Sequence, residues 1–170
     1  MKEIILYFSR PGNNYVNGAI KNLSVGNTEI AASMIQTLTG ADIFKIEPVV
    51  PYSEDYSECI EQAKNDLQNK NRPELKAYPA DLSEYDTVYV GYPNYWGTMP
   101  MAVFSLLEKY DFSGKTIMPF CTHEGSRMGK SEADLKKICH GADVKKGLAI
   151  RGAFVKDSEA DIKKWLNNRT

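Results

Sequence analysis

Residues 87–100 read Thr-Val-Tyr-Val-Gly-Tyr-Pro-Asn-Tyr-Trp-Gly-Thr-Met-Pro, and this stretch decides the fold. Its first part, Thr87–Gly91, is a short apolar run of the kind found in strands that are buried on both faces. Its second part is a loop in which prolines and glycines fix tight turns. Within this loop stand Tyr95 and Trp96, whose rings suit stacking on a flat, conjugated ligand. The alternative is that both rings pack into the core.

Strand-like and helix-like segments alternate on both sides of this stretch. Strands are predicted at Ile4–Phe8, Ile43–Ile46, Thr87–Gly91, Thr116–Cys121 and Gly147–Phe154. Helices are predicted at Asn27–Leu38, 54–69, Met101–Tyr110 and Ser131–His140 and from Ser158 onward, the last two opened by Ser131-x-x-Asp134 and Ser158-x-x-Asp161 boxes. Five β–α units in a row predict an α/β fold, a doubly wound parallel sheet with helices on both faces. Such sheets bind ligands at the carboxyl ends of their strands.

Composition and charge exclude several classes of protein. The 170 residues, 42% hydrophobic and 25% charged, fit a single globular domain, 1–170, and not a disordered chain. No apolar run approaches the ~18 residues of a spanning helix, and no signal peptide is recognisable, so we expect a cytoplasmic protein without a membrane partner. The net charge of -1 argues against nucleic-acid binding. Residues 51–110 carry a net -5 and 111–170 a net +4, either as solvated helix faces or as an acidic flank that steers a partner.

The three cysteines, Cys59, Cys121 and Cys139, form neither a disulfide framework nor a metal site by their spacing. Cys59 and Cys139 fall on apolar helix faces and are predicted to be core residues. Cys121 and Arg127 match the Cys-x5-Arg spacing of cysteine-dependent phosphatases, which leaves such an enzyme as a distant alternative. That pattern is short, and no general-acid aspartate loop accompanies it.

The first connection carries a candidate anion site in two halves. Ser9-Arg10-Pro11-Gly12-Asn13-Asn14 follows the first strand, and Val25-Gly26-Asn27-Thr28-Glu29 opens the first helix. Hydroxyl groups and free N–H groups at a helix N-terminus bind anions, and an arginine adds a bidentate contact to a phosphate. The alternative is a polar turn followed by an ordinary helix cap.

A third polar loop, Cys121–Ser131, follows the fourth strand. Its glycines and polar donors again end at a helix start. His123 has no serine or cysteine to activate, so we expect a loop histidine that is hydrogen-bonded to the backbone.

The three loops, in this order, resemble those of the flavodoxin family. Tyr7–Asn13 is similar to that family's first strand and Ser/Thr phosphate loop, and Gly26-Asn27-Thr28 resembles the end of the same loop. Gly91–Pro100 resembles the Pro-x-x-Trp-Gly loop of bacterial flavodoxin-like proteins, and Thr122–Ser126 resembles their third loop. The resemblance covers essentially the whole chain.

The resemblance implies a three-layer α/β/α fold with five strands in the order 2-1-3-4-5 and noncovalent FMN at the carboxyl edge. Tyr95 and Trp96 would flank the isoalloxazine, and backbone N–H groups near Gly97 and Gly125 would reach its edge. The flavin would carry the chemistry, so no residue is assigned as catalytic. Cofactor contacts are expected from Ser9, Arg10, Gly26, Asn27, Thr28, Pro93, Asn94, Tyr95, Trp96, Gly97, Thr122, His123, Glu124, Gly125 and Ser126.

Two departures from the family pattern bear on function. Residues 15–24 separate the halves of the first loop and could arch over the flavin to shape a substrate pocket. The chain also lacks the strong acidity of electron-carrying flavodoxins. The near-neutral charge argues against a general acidic electron shuttle and favours a flavin reductase or a carrier with a narrow partner. We expect an FMN protein, a monomer or homodimer, that acts in electron transfer with a redox protein. The alternative is an FMN-dependent NAD(P)H:quinone-type oxidoreductase with a small quinone-like acceptor. In either case Glu124 is expected to lower the flavin potential.

Overall fold

The computed structural model describes residues 1–170, which form eight strands and five α-helices. The strands are β1 (Glu3–Tyr7), β2 (Gly12–Val16), β3 (Ala19–Leu23), β4 (Asp42–Lys45), β5 (Thr87–Pro93), β6 (Thr116–His123), β7 (Asp143–Val144) and β8 (Leu148–Arg151). The helices are α1 (Asn27–Thr39), α2 (Tyr56–Gln68), α3 (Met101–Leu107), α4 (Ser131–Ile138) and α5 (Glu159–Leu166), with 3-10 segments at Gly152–Asp157 and Asn167–Arg169.

The main sheet is parallel throughout and runs in the order β4-β1-β5-β6, followed by β7 and β8. Leu6 of β1 pairs with Phe44 on one side and with Val90 on the other. Both β7 and β8 pair with β6, the first near its start and the second near its end. The predicted five-position order is confirmed, with the last position divided between two short strands.

The alternation of side chains along β1 explains why its four residues after Glu3 are all apolar. Ile4 and Leu6 belong to a core cluster that includes α3 and Leu135 of α4. Ile5 and Tyr7 point to the opposite face, into a cluster with α1 and α5. Successive residues of a strand face opposite sides, so a sheet covered on both faces buries every residue of its central strand. The result is the predicted three-layer α/β/α architecture.

The prediction of one last strand, Gly147–Phe154, was wrong at its end. The strand β8 stops at Arg151, and the chain turns into the 3-10 segment Gly152–Asp157. A carboxylate oxygen of Glu124 accepts the N–H of Ala153 at 2.7 Å, which draws the backbone away from the ladder.

The two predicted capping boxes were also wrong. The Ser131 hydroxyl donates to the carbonyl of Met128 and accepts from the Tyr92 hydroxyl. The Ser158 hydroxyl donates to the carbonyl of Val155 at 2.6 Å. Neither side chain caps its helix, because each is engaged by the preceding turn or by the core.

The segment between the halves of the first loop is a β-hairpin. The strands β2 and β3 pair antiparallel as a separate two-stranded sheet. Asn17 and Gly18 connect them with φ values of 51° and 84°. Positive φ at both turn residues is the type I′ geometry that Asn-Gly favours. We call residues 12–23 the hairpin.

None of the helices combines the length with the apolar character that a membrane-spanning segment requires.

Candidate functional site at the carboxyl edge of the sheet

A cavity of about 450 Å³ lies where the loops after β1, β5 and β6 meet. This volume is within the range of small-molecule sites. Eleven of the fifteen predicted contact residues line it, and Ser9, Gly26, Thr28 and Gly125 do not. Its lining is Arg10, Asn14, Tyr15, Asn27, Tyr56, Cys59, Ile60, Ala63, Pro93, Asn94, Tyr95, Trp96, Gly97, Thr122, His123, Glu124 and Ser126.

Gly26 lets the first loop close tightly against the start of α1. A Cβ atom there would lie 2.2 Å from the Ser9 hydroxyl oxygen and 2.8 Å from the Arg10 carbonyl oxygen. The Ser9 hydroxyl accepts the N–H of Glu29 at 3.0 Å and keeps its own hydrogen free to donate. The N–H groups of Asn27 and Thr28 have no acceptor within the chain. This set of donors fits a phosphate group.

Thr28 joins the first loop to the third. Its hydroxyl lies 2.7 Å from the Thr122 hydroxyl, and both residues are buried. Whichever hydroxyl donates, the other retains a hydrogen for a ligand. The pair therefore fixes the spacing of the two loops and leaves one hydroxyl hydrogen free to donate to a ligand.

Arg10 is held by the chain itself, because its guanidinium donates to the carbonyl oxygens of Asn13, Ser53 and Glu54. That it also contacts a phosphate stays a prediction. Residues 53 and 54 directly precede α2. The side chain thus clamps the hairpin to the segment before α2 and faces the cavity from that side.

The second loop turns sharply at its two aromatic residues. Tyr95 and Thr98 bond each other across the turn, in which Trp96 and Gly97 have φ values of 55° and 85°. A bulky residue with positive φ is strained, and strain of this kind clusters at functional sites. Trp96 is held by an Nε1–H bond of 2.8 Å to the carbonyl of Ile60, and 47% of the residue is exposed.

The sequence left open whether Tyr95 and Trp96 face a ligand or pack into the core, and the two residues differ in this respect. The Tyr95 ring makes edge contacts with Phe8 and Tyr52, and burial raises the pKa of its hydroxyl, which lies 3.6 Å from the Cys59 sulfur. Tyr95 therefore packs mainly against the core and only borders the cavity. Trp96 presents its ring at the surface of the cavity. That both rings flank a flavin stays a prediction.

Asn94 ties the second loop to the third. Its side chain accepts the Gly97 N–H at 2.9 Å and donates to the Arg127 carbonyl at 2.8 Å. Gly129 also lies against Gly97, where a Cβ atom would come within 2.2 Å of the Gly97 carbonyl oxygen. The two loops consequently form one rigid wall.

Backbone N–H groups near Gly97 and Gly125 were expected to reach the flavin edge, and those of the two glycines themselves are already used within the chain. The first donates to Asn94 and the second to Nδ1 of His123, at 2.8 Å. The prediction of a backbone-bonded His123 is confirmed. Burial and the charge of Arg127 lower the pKa of His123, which favours the neutral imidazole. Because Nδ1 accepts the Gly125 N–H, the neutral ring carries its proton on Nε2, and that N–H is free to donate.

Glu124 fixes the hairpin rather than facing the cavity as a bare charge. Its carboxylate accepts the N–H groups of Ala153 and Asn17, at 2.7 and 3.2 Å. Arg151 pairs with it at 3.2 Å. The tip of the hairpin is thereby tied to the third loop and to the end of β8. That Glu124 lowers the flavin potential stays a prediction.

The sequence indicated that residues 15–24 could shape a pocket, and Tyr15 does line the cavity, but sequence reasoning missed the wall that α2 contributes beside it. Tyr15 of the hairpin stacks on Tyr56 with ring centroids 6.3 Å apart, and Asn14 lies beside them. Cys59, predicted as core, is buried but also lines the cavity, together with Ile60 and Ala63. The available signal was the apolar stripe of α2, which we interpreted only as a packing face.

The phosphatase alternative is wrong. Cys121 is fully buried in the core, and burial raises the pKa of its thiol. Its sulfur bonds the Arg127 carbonyl, not the guanidinium. No thiolate is therefore available to attack a phosphate ester.

A sequence model described as flavodoxin matches residues 17–169. The chain belongs to the flavodoxin family. Searching the curated proteins gave no match.

Solved structures similar to the chain extend over nearly its whole length. A candidate flavoprotein from Bacteroides eggerthii is 27% identical with a TM-score of 0.78, covering 99% of this chain and 97% of its own. Another from Bacteroides uniformis is 26% identical with a TM-score of 0.76, covering 98% of both chains. A Lactobacillus acidophilus flavoprotein in complex with FMN is 21% identical with a TM-score of 0.66, covering 97% and 98%, and at this identity it shows the fold alone.

Proposed function

We propose that the chain binds FMN noncovalently in this cavity and transfers electrons to a protein partner. The observation that carries the proposal is the meeting of the three family loops at one cavity, with free N–H groups at the start of α1. Ser9 and the N–H groups of Asn27 and Thr28 would hold the phosphate. Bound FMN supplies one- and two-electron transfer chemistry.

The other residues of the cavity orient the cofactor and exclude water from it. Trp96 offers a ring held in place by its bond to Ile60. The Nε2–H of His123 donates from the opposite loop. The pairs Thr28–Thr122 and Asn94–Arg127 keep the loops at a fixed separation, so the cofactor meets a preformed site.

A second candidate function is an FMN-dependent NAD(P)H:quinone-type oxidoreductase. Tyr15 supports this alternative, because it brings a half-exposed ring from the hairpin to the rim of the cavity. An electron carrier that docks a protein needs an accessible flavin edge, whereas a reductase benefits from a wall that binds a small planar acceptor.

One experiment separates the two functions. The FMN-loaded protein is mixed with NADH or NADPH and a soluble quinone, and nucleotide oxidation is followed by absorbance. Rapid, FMN-dependent oxidation would support the reductase. For a carrier we expect no such turnover, and instead salt-sensitive binding to a redox protein through the acidic residues of 51–110.

A further inference from the structure

Arg10 is a buried cation without a carboxylate partner. Only 8% of the residue is exposed, and none of the ion pairs in the molecule includes it. Its partners are the neutral carbonyl groups of Asn13, Ser53 and Glu54. Burying a charge without a counter-ion costs free energy, so an anion that binds beside such a residue would stabilise it.

One N–H group of the Arg10 guanidinium has no acceptor within the chain. The guanidinium has five N–H groups. Nε donates to Ser53, Nη2 donates to Ser53 and Glu54, and Nη1 makes a single bond, to Asn13. Because Arg10 lines the cavity, its second Nη1 hydrogen and its charge are available to a ligand there.

The cavity that Arg10 lines also has aromatic and aliphatic side chains from the hairpin and α2. Tyr15 and Tyr56 stack at an interplanar angle of 29°. Ile60 and Ala63 continue this wall along α2. An aromatic ring packs well on such a surface. We call the part of the cavity bounded by these four residues and Arg10 the Arg10 subsite.

We propose that the Arg10 subsite binds an anionic aromatic co-ligand, whose acidic group pairs with the guanidinium and whose ring lies along the tyrosine wall. The inference rests on the proposed function, since it assigns a class of second ligand to the same cavity. The anion could also come from the phosphate of FMN. The guanidinium, however, is held towards residues 53 and 54, whereas the free N–H groups lie at α1.

The test measures equilibrium binding of 2-naphthoate and of its uncharged isostere, 2-naphthamide, to the FMN-loaded protein by calorimetry. We expect naphthoate to bind at least about tenfold more tightly, because a hydrogen bond to a charged group is strong in a buried site. Arg10→Gln should remove the preference, and Arg10→Lys should keep part of it. The control is Arg72→Gln, which removes an arginine that pairs with Glu108 away from the cavity.

Equal binding of the two probes to the wild-type protein would overturn the inference, as would an unchanged preference in Arg10→Gln. Two further outcomes would assign the Arg10 cation to the cofactor and so overturn the inference. One is displacement of naphthoate by FMN when FMN is added to the flavin-free protein. The other is a loss of FMN affinity in Arg10→Gln that riboflavin does not share. If Arg10→Gln does not fold, the test uses Tyr56→Leu beside the wild type. This variant should lower the affinity for naphthoate and for naphthamide by the same factor. Preferential naphthoate binding by a protein that fails to bind FMN would leave the subsite standing and the proposed function refuted.

Discussion

At Gly26, the absence of a side chain allows the first loop to close on α1. We predict that Gly26→Ala lowers FMN affinity at least tenfold, because the Cβ would displace the Ser9 hydroxyl and the Arg10 carbonyl. Flavin fluorescence titration measures the effect. Gly40→Ala at the other end of α1 is the control: with φ of 73° and open space, it should cost about 1 kcal/mol of stability but no FMN affinity. FMN binding by Gly26→Ala at wild-type strength would contradict the account.

His123 gives a prediction about pH. Its pKa is lowered in the folded state by burial and by Arg127, so the unfolded chain binds its proton first on acidification. Its contribution to stability is therefore full above about pH 6.5 and is lost as the pH falls through the folded pKa. His123→Gln should lose less stability than the wild type between pH 7 and pH 5, as measured by urea unfolding.

The control for this pH effect is His140→Gln, which removes the other histidine, at an exposed position. Parallel pH dependences for the wild type and His123→Gln would refute the assignment.

At single residues, the sequence predicted which kinds of residue line the candidate site better than it predicted the hydrogen-bond partners of those residues. Gly26 and His123 behave as their local pattern suggested. Arg10 was predicted to hold a phosphate because its neighbours resemble a phosphate loop, but its guanidinium binds carbonyls of a segment more than forty positions away. Such a contact depends on how β4 and α2 are placed and leaves no trace in the local sequence.

Among the elements, the hairpin has its tip held by one carboxylate, that of Glu124. We predict that Glu124→Ala speeds hydrogen exchange of residues 12–23 by about tenfold or more, because the tip loses bonds to a charged group. Exchange monitored by mass spectrometry tests this. Glu61→Ala, at an exposed position on α2, is the control. Unchanged exchange in the hairpin would show that its contacts with α2, and not Glu124, hold it.

The same elements show where sequence reasoning succeeds. The strands β1, β5 and β6 and the helix α1 follow from apolar runs and helical spacing, since their apolar residues face the two cores. The hairpin was missed although Asn17-Gly18 is a strong turn signal, because its strands mix polar and apolar residues and bury few of them. The early end of the last strand could not be predicted either, because it follows from the bond between Glu124 and Ala153.

For the whole molecule, the cofactor should act as a stabilising ligand. A ligand that binds only the folded state adds about 2.7 kcal/mol at one hundred times its Kd. We predict that FMN at that excess raises Tm by several degrees, and that riboflavin at the same concentration raises it less because it lacks the phosphate. Differential scanning calorimetry measures both. An equal shift from the two compounds would argue that the loop at Gly26 holds no phosphate.

The fold was predictable at this scale because alternation of strands and helices leaves few topologies. The position of the site was predictable for the same reason, since it lies at the carboxyl edge. The near-neutral charge and its uneven distribution did not identify a partner, because surface charge affects encounter and not the chemistry of the cavity.

The central claim is that the cavity binds FMN through its phosphate and ring together. Its most direct test is titration of the protein, stripped of flavin, with FMN and with riboflavin, followed by flavin fluorescence. The account predicts saturable binding of one FMN per chain, at least about tenfold tighter than that of riboflavin and lost in Gly26→Ala. Absence of saturable FMN binding, or equal affinities for FMN and riboflavin, would contradict it.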